Sequence, residues 1–154
     1  MMNYPVRKGL RAAFHDYRGA EYFVTVCTAD RRCYFGDVVN GELRHSPIGI
    51  FCEAAIRDLP VRLPGVKVPL FVIMPNHIHM VVNLRHFTGA LSVVVGMLKR
   101  EVTIYARKNS IYFGWQRGYH DHIIRGVNDA NQINDYILNN PMRWYADSMH
   151  PKQE

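Results

Sequence analysis

Phe71-Val72-Ile73-Met74-Pro75-Asn76-His77-Ile78-His79-Met80-Val81-Val82 holds two apolar runs that meet at Pro75-Asn76. The runs are rich in β-branched residues, which suits strands. Proline is poorly tolerated inside a central strand, so the junction predicts a tight turn. The spacing therefore predicts strands over Val66 to Met74 and His77 to Asn83, with the histidines opening the second near one end of a sheet. Alternate residues of a strand share a face, so His77 and His79 point the same way. Imidazoles at i and i+2 on one face can close on a single metal ion. A lone H-x-H is a weak signal, but the apolar flanks place this one in a core strand, where buried imidazoles need partners.

Upstream, Tyr22 to Thr28 (YFVTVCT) reads as another buried strand, interrupted by Asp30-Arg31-Arg32. Short strands are expected at Cys33 to Phe35 and Gly41 to His45, around the hairpin dipeptide Asn40-Gly41. Ser46-Pro47 opens a helix, serine as N-cap and proline at the first helical position. Ile48, Phe51, Cys52, Ala55, Ile56 and Leu59 recur at helical spacing, and Pro60 and Pro64 close the element.

Downstream, a second helix is expected from Thr88 or Gly89 to about Arg107, burying Leu91, Val94, Val95, Leu98, Val102 and Tyr105. Lys99, Arg100, Arg107 and Lys108 fall mostly off that stripe, toward solvent. The aromatic stretch from Ile111 to Ile124 has room for one more short strand. Asn128 or Asp129 caps a last helix through Asn139, ended by Pro141. The order β-β-β-α-β-β-α-β-α predicts an α+β fold, an antiparallel β-sheet with packed helices.

At 154 residues the chain is expected to be one domain, spanning 1–154, that buries roughly 70% of its unfolded surface. Nineteen Lys and Arg against 13 Asp and Glu give a formal charge of +6, which favours an anionic partner such as nucleic acid. Residues 1–20 are basic and irregular and read as a mobile arm or an edge segment carrying Arg7, Lys8, Arg11 and Arg18. Cys27, Cys33 and Cys52 are odd in number and form no C-x-x-C, which argues against a disulfide framework and for a reducing cytoplasm. No apolar run reaches membrane-spanning length, and no signal-peptide core is present, so no membrane partner is expected. Phosphate loops, G-x-G-x-x-G and the zinc-deaminase pattern are also missing.

A second constellation lies in Asp135-Tyr136-Ile137-Leu138-Asn139-Asn140-Pro141. Tyr136 and Asn140, four apart, share a helix face. Each has an ordinary explanation, as a core aromatic and as a residue capping a helix before proline. Together they offer a hydroxyl nucleophile and an amide oxygen one turn apart. A phenol, with an unperturbed pKa of about 10, needs a site that withdraws charge from the phosphate it attacks. A divalent ion on His77, His79 and Asn140 supplies that and leaves positions open for phosphate and water. Magnesium prefers all-oxygen sites, so the imidazoles pull toward Mn2+ over Mg2+, at least in vitro.

Tyr119-His120-Asp121-His122 reads as a second metal cluster or, better, as side chains lining the same cleft, with Tyr119, Asp121 and His122 hydrogen-bonded around the ligands. Tyr112, Phe113, Trp115 and Tyr119 beside Arg117 and Arg125 either stack unpaired bases or form an aromatic core under a basic rim. Candidate DNA contacts are Arg7, Lys8, Arg11, Lys99, Arg100, Arg117 and Arg125. His15, His45, His86 and His150 lack a spacing partner and read as surface residues.

On these motifs the chain resembles the single-tyrosine HUH transposases, and especially their REP-associated tyrosine transposase branch. His77-Ile78-His79 in MPNHIHMVV satisfies histidine-hydrophobe-histidine, and YFVTVCT with DRRCYFG, NGELRHSPIG, GWQRGYHDHIIR and DYILNNPMRW match in order and spacing. The resemblance covers nearly the whole chain. It implies a ferredoxin-like or RRM-like core and an endonuclease and strand transferase acting on single-stranded or hairpin DNA. It also implies Tyr136 as the nucleophile of a 5′-phosphotyrosine, His77 and His79 as ligands of Mg2+ or Mn2+, and Asn140 as a third, amide-type ligand. Relatives include dimers and monomers, so a homodimer is open, and no added C-terminal module is expected after Trp144. The rival readings are a single-stranded nucleic-acid-binding protein that does not cut, and an unrelated metal hydrolase using bound water.

Overall fold

The computed structural model describes residues 19–151. The basic residues of the expected arm, Arg7, Lys8, Arg11 and Arg18, and the expected surface residue His15 lie outside them. Six strands and three α-helices follow in the order β1 (Glu21–Cys27), β2 (Gly36–Val39), β3 (Glu42–His45), α1 (Pro47–Arg62), β4 (Lys67–Met74), β5 (His77–Asn83), α2 (Leu91–Lys108), β6 (His120–Ile123) and α3 (Gly126–Asn139). A 3-10 helix, Pro141–Ala146, continues from α3. The main sheet has strand order β4-β5-β1-β6 with every neighbouring pair antiparallel. Two split β-α-β units, β1-α1-β4 and β5-α2-β6, interleave to give it, which is the ferredoxin-like plan. The hairpin β2-β3 is an insertion between β1 and α1 that, among the described residues, pairs only with itself.

Strand alternation divides the sheet into two faces. Tyr22, Val24 and Val26 of β1 and Ile78, Met80 and Val82 of β5 pack under α1 and α2. Phe23 and Val81, with Val72 and Met74 of β4, meet Ile133 and Ile137 of α3 and Trp144 beyond it. β5 is fully buried from His77 to Val82, so the histidines stand on the α3 face at the floor of the second, smaller core.

Local chemistry sets the boundaries. Ser46 Oγ accepts from Gly49 N–H at 3.2 Å and donates to the Tyr34 carbonyl at 2.6 Å, so the cap also ties α1 to the preceding loop. Pro60 does not end α1: the helix runs on to Arg62, and Leu63 N–H closes its last turn on the Leu59 carbonyl. The first strand of the hairpin is Gly36–Val39 rather than Cys33 to Phe35, because residues 33–35 are drawn into side links, Phe35 N–H to the Pro75 carbonyl among them. Gly36 (φ +142°) lets that strand start, since a Cβ there would fall on the Arg44 carbonyl. Asn40 and Gly41 form the expected turn, both at positive φ. Pro69 is tolerated because β4 is an edge strand whose register shifts between Lys67 and Leu70. α3 begins at Gly126, earlier than Asn128, because the Asp129 carboxylate reaches back to Arg125 N–H at 2.8 Å. No helix of the described residues is long and apolar enough to cross a membrane.

Candidate metal and tyrosine site

The strand register fixes the site's floor. Thr25 of β1 lies opposite His79, Cys27 opposite His77, and Val72 and Met74 of β4 flank the two histidines on the other side. The His77 and His79 rings are 4.6 Å apart, centroid to centroid, and nearly perpendicular. Phe23 walls one side, 5.2 Å from the His79 ring, and Trp144 the other, 6.1 Å from His77.

Each imidazole is held through Nδ1. Thr25 Oγ1 lies 2.8 Å from Nδ1 of His79. Asn76 Oδ1 lies 2.8 Å from Nδ1 of His77. The second contact has a fixed direction. Asn76 Nδ2 donates to the carbonyls of Arg31 (3.0 Å) and Met149 (2.8 Å), so its Oδ1 is the acceptor and His77 Nδ1 carries the proton. His77 Nε2 is then the lone-pair nitrogen. Nε2 of His77, Nε2 of His79 and Oδ1 of Asn140 are all buried, and among the described residues none has a hydrogen-bond partner. Buried polar atoms are seldom left so, and three in one place mark a site for something else.

Tyr136 approaches from α3, its ring 5.2 Å from His79 and 6.0 Å from Phe23. It is half-buried, while Asn140, at the C-cap of α3, is buried. The Asn140 amide lies close enough to His77 and Tyr136 to bias the titration of both.

Electrostatics keep the imidazoles neutral. Burial pushes His77 down to about 4, with the Asp147 carboxylate and the Asn140 amide pulling the other way. Burial, reinforced by His77, holds His79 well below the usual histidine range. Neutral imidazole is the form that donates a lone pair to a cation. Burial raises the Tyr136 phenol above its ordinary value, Asp147 adds to this, and Asn140 opposes it. Among the described residues no group of three His, Cys, Asp or Glu gathers as a cation site. An ion at this pair would thus need the amide oxygen of Asn140 as third donor, and the orphaned Oδ1 fits that part.

The family model described as "Transposase IS200 like" matches residues 17–140. The chain belongs to the IS200-like transposase family. A Haemophilus influenzae protein of unassigned function is 30% identical over 167 residues, covering 94% of this chain and 93% of its own. A second protein of that organism, provisionally named a REP-associated tyrosine transposase, is 27% identical over 138 residues, covering 82% and 72%. Among solved structures, a REP-associated tyrosine transposase bound to a REP hairpin superposes with a TM-score of 0.67 at 21% identity, over 87% of this chain and 74% of that one. A Deinococcus radiodurans protein provisionally described as a transposase gives 0.52 at 16%, over 84% and 96%.

In this IS200-like transposase chain the other candidates scatter. His120 and His122 pair with Thr25 and Phe23 of β1 and so share the histidine face, but Asp121, opposite Val24, points to the other face. Tyr119 packs with the α1-α2 core. Strand alternation thus turns Asp121 away from the histidine cleft, and Tyr119, just before β6, lies against the other core. His122 is bound to Asp129 at 2.9 Å, at the start of the tyrosine helix. Lys99 does not face solvent freely: its ammonium donates to the carbonyls of Gln116 and Gly118, anchoring the loop before β6. Arg100, Arg117 and Arg125 are exposed. His150 is buried against Trp144 and Tyr145, and His45 bonds the Ile73 carbonyl, so neither is a plain surface residue.

Asn76, Thr25 and Asp147 were not singled out from the sequence. Asn76 had a signal, being next to His77 in MPNHIH. Thr25 and Asp147 had none. Asp147 Oδ1 accepts from Met149 N–H, while its Oδ2 stands 3.8 Å from His77 Nε2.

Proposed function

We propose that this chain cleaves and rejoins single-stranded or hairpin DNA, with Tyr136 as the nucleophile and a divalent ion, Mg2+ or Mn2+, on His77, His79 and Asn140. The observation that carries this reading is the trio of buried, partnerless donor atoms beside a half-buried phenol. Membership of the IS200-like family supports it, as does the likeness to a protein held on a REP hairpin.

The phenol oxygen of Tyr136 attacks the scissile phosphorus. A tyrosyl O–P bond forms and the P–O3′ bond breaks. The phenol proton is released, O3′ takes up a proton, and a 5′-phosphotyrosine and a free 3′-hydroxyl result. Attack by a 3′-hydroxyl on the phosphotyrosine reverses these changes, so joining needs no external energy source. When bound, the ion withdraws charge from a phosphoryl oxygen. Thr25 and Asn76 orient the imidazoles, and Phe23 and Trp144 wall the pair in. Burial and the Asp147 carboxylate favour the protonated Tyr136 phenol, so its proton has to leave as the O–P bond forms.

The test is covalent capture. With Mn2+ or Mg2+, a labelled single-stranded hairpin oligonucleotide should become attached to the protein and survive denaturing electrophoresis. Tyr136→Phe should abolish the adduct and keep binding. An undiminished adduct in Tyr136→Phe rejects the nucleophile, and turnover without an adduct indicates a water-using hydrolase. Ion-independent binding with neither leaves a protein that holds DNA without cutting it.

A further inference from the structure

Two loops at the mouth of the site are fastened into one surface. The Ala29 N–H donates to the Gly114 carbonyl at 2.9 Å, Gln116 N–H to the Cys27 carbonyl at 2.9 Å, and Thr28 bridges Trp115. Within the first loop, Asp30 (φ 54°) and Arg31 (φ 56°) both adopt the left-handed conformation, uncommon for residues other than glycine. Surrounding bonds hold them there. Asn76 Nδ2 takes the Arg31 carbonyl at 3.0 Å and Thr28 Oγ1 the Arg32 carbonyl at 2.7 Å. The backbone polar groups turn inward, and the side chains of Arg31 and Arg32 are left exposed.

The second loop brings the aromatics. Phe113 and Trp115 are drawn onto Phe35 and the core, 5.8 and 5.6 Å away, and are partly buried there. Tyr112 remains 75% exposed, and the Arg32 guanidinium stands 5.4 Å from its ring centroid. Arg31 makes one long contact, 3.4 Å, to the Ser148 carbonyl. No carboxylate among the described residues forms an ion pair with Arg32. An open aromatic ring with adjacent guanidinium groups is the arrangement that stacks an unpaired base and holds its phosphate. The loop is tied to the site, because the Asn76 amide that donates to the Arg31 carbonyl also accepts from His77.

We propose that Tyr112, Arg32 and Arg31 form a landing surface for single-stranded DNA entering the histidine site, Tyr112 stacking an unpaired base and the arginines taking its phosphates. The identity of the strand rests on the cleavage reading above; the surface itself rests on the loop geometry.

The experiment measures fluorescence anisotropy of a labelled single-stranded oligothymidylate and of a duplex of equal length. It is done in Tyr136→Phe protein with chelator present, so that no chemistry intervenes. Tyr112→Ala should weaken single-strand binding about tenfold while Tyr112→Trp retains it, with duplex binding little changed. Arg32→Ala should reduce the slope of log affinity against log salt by about 0.7, the share of one phosphate contact. Unchanged single-strand affinity in Tyr112→Ala overturns the proposal, as does an equal loss for duplex. The two readings fail separately. An adduct formed by wild-type protein, with affinity unmoved in Tyr112→Ala, removes the surface and leaves cleavage. Weakened binding in Tyr112→Ala, with no adduct under any ion, removes cleavage and leaves the surface.

Discussion

His77 Nδ1 donates its proton to Asn76 Oδ1 across 2.8 Å, and the donor bonds of the same amide to Arg31 and Met149 leave that direction no alternative. One amide thereby sets which nitrogen of His77 faces the site. Partners of this kind typically account for 10–100-fold in metal affinity. Asn76→Ala should weaken calorimetric Mn2+ binding by about that factor. Asn76→Asp should keep the acceptor and much of the affinity, while the contacts to the Arg31 and Met149 carbonyls turn repulsive. Protease cleavage after Arg143 in Asn76→Asp, faster than in wild type, would register that second effect.

Removing either imidazole tests the donor set directly. His77→Ala and His79→Ala should each abolish measurable Mn2+ binding while circular dichroism stays native. Each change also removes an Nδ1 hydrogen bond and a buried ring along with the partnerless Nε2, so a lower thermal midpoint should accompany the loss of the ion. Wild-type Mn2+ affinity in both variants would count against the ion's place.

The histidines also govern stability against pH. His77 titrates near 4 when folded, against about 6.5 unfolded, and His79 is shifted the same way. Between those values the unfolded chain binds more protons, so stability rises with pH. The full stability is present above about pH 6.5 and is lost as pH falls toward 4, the two neighbouring imidazoles titrating as a pair. Thermal midpoints of the metal-free protein should drop over that window, and His77→Gln should flatten the dependence.

Asp147 connects the two halves of the site. Its negative charge raises the Tyr136 phenol and opposes the fall of His77. Asp147→Asn preserves the acceptor for Met149 N–H but removes the charge. Tyr136 should then ionise at lower pH, and the pH profile of adduct formation should shift toward neutrality. An unmoved profile would show that the phenol's ionisation does not control the step.

A cap offers a purely structural check. Ser46→Ala removes the acceptor for Gly49 N–H and the donor to the Tyr34 carbonyl. The expected loss is about 1–2 kcal/mol, or roughly 2–4 °C in thermal midpoint per kcal/mol for a chain of this size. Metal affinity should not change, since Ser46 is not among the groups that hold the histidines.

The order of elements was legible because most are amphipathic at one clean period. α2 buries Leu91, Val94, Val95, Leu98 and Val102 as its spacing implies, and only Ala106 takes the inward place expected of Tyr105. Tyr105 instead lies partly buried, stacked on Phe51 at 4.2 Å. The hairpin strand 33–35 was misplaced because its hydrogen bonds run to Pro75 and the adjoining loops, pairings that have no local signature. The histidine pair and the Tyr136-Asn140 spacing could be read because they depend on periods of two and four within single elements. Thr25 and Asp147 could not, because strand register brings one and the chain's return after Trp144 brings the other. His150 looked solitary for the same reason: its neighbours Trp144 and Tyr145 matter only once that segment folds back.

The two partners in the proposed reaction are mounted very differently. The histidines sit in the second strand of a four-stranded sheet, locked on both sides by ladder bonds. The tyrosine rides on a helix that contributes just Ile133 and Ile137 to the interior, against six buried residues from α2. Segments with so little buried contact open at low free-energy cost. Tyr136 and Asn140 thus share the more loosely anchored support, so in the proposed reaction one movement of that helix would carry the nucleophile and the amide donor off the histidine strand together.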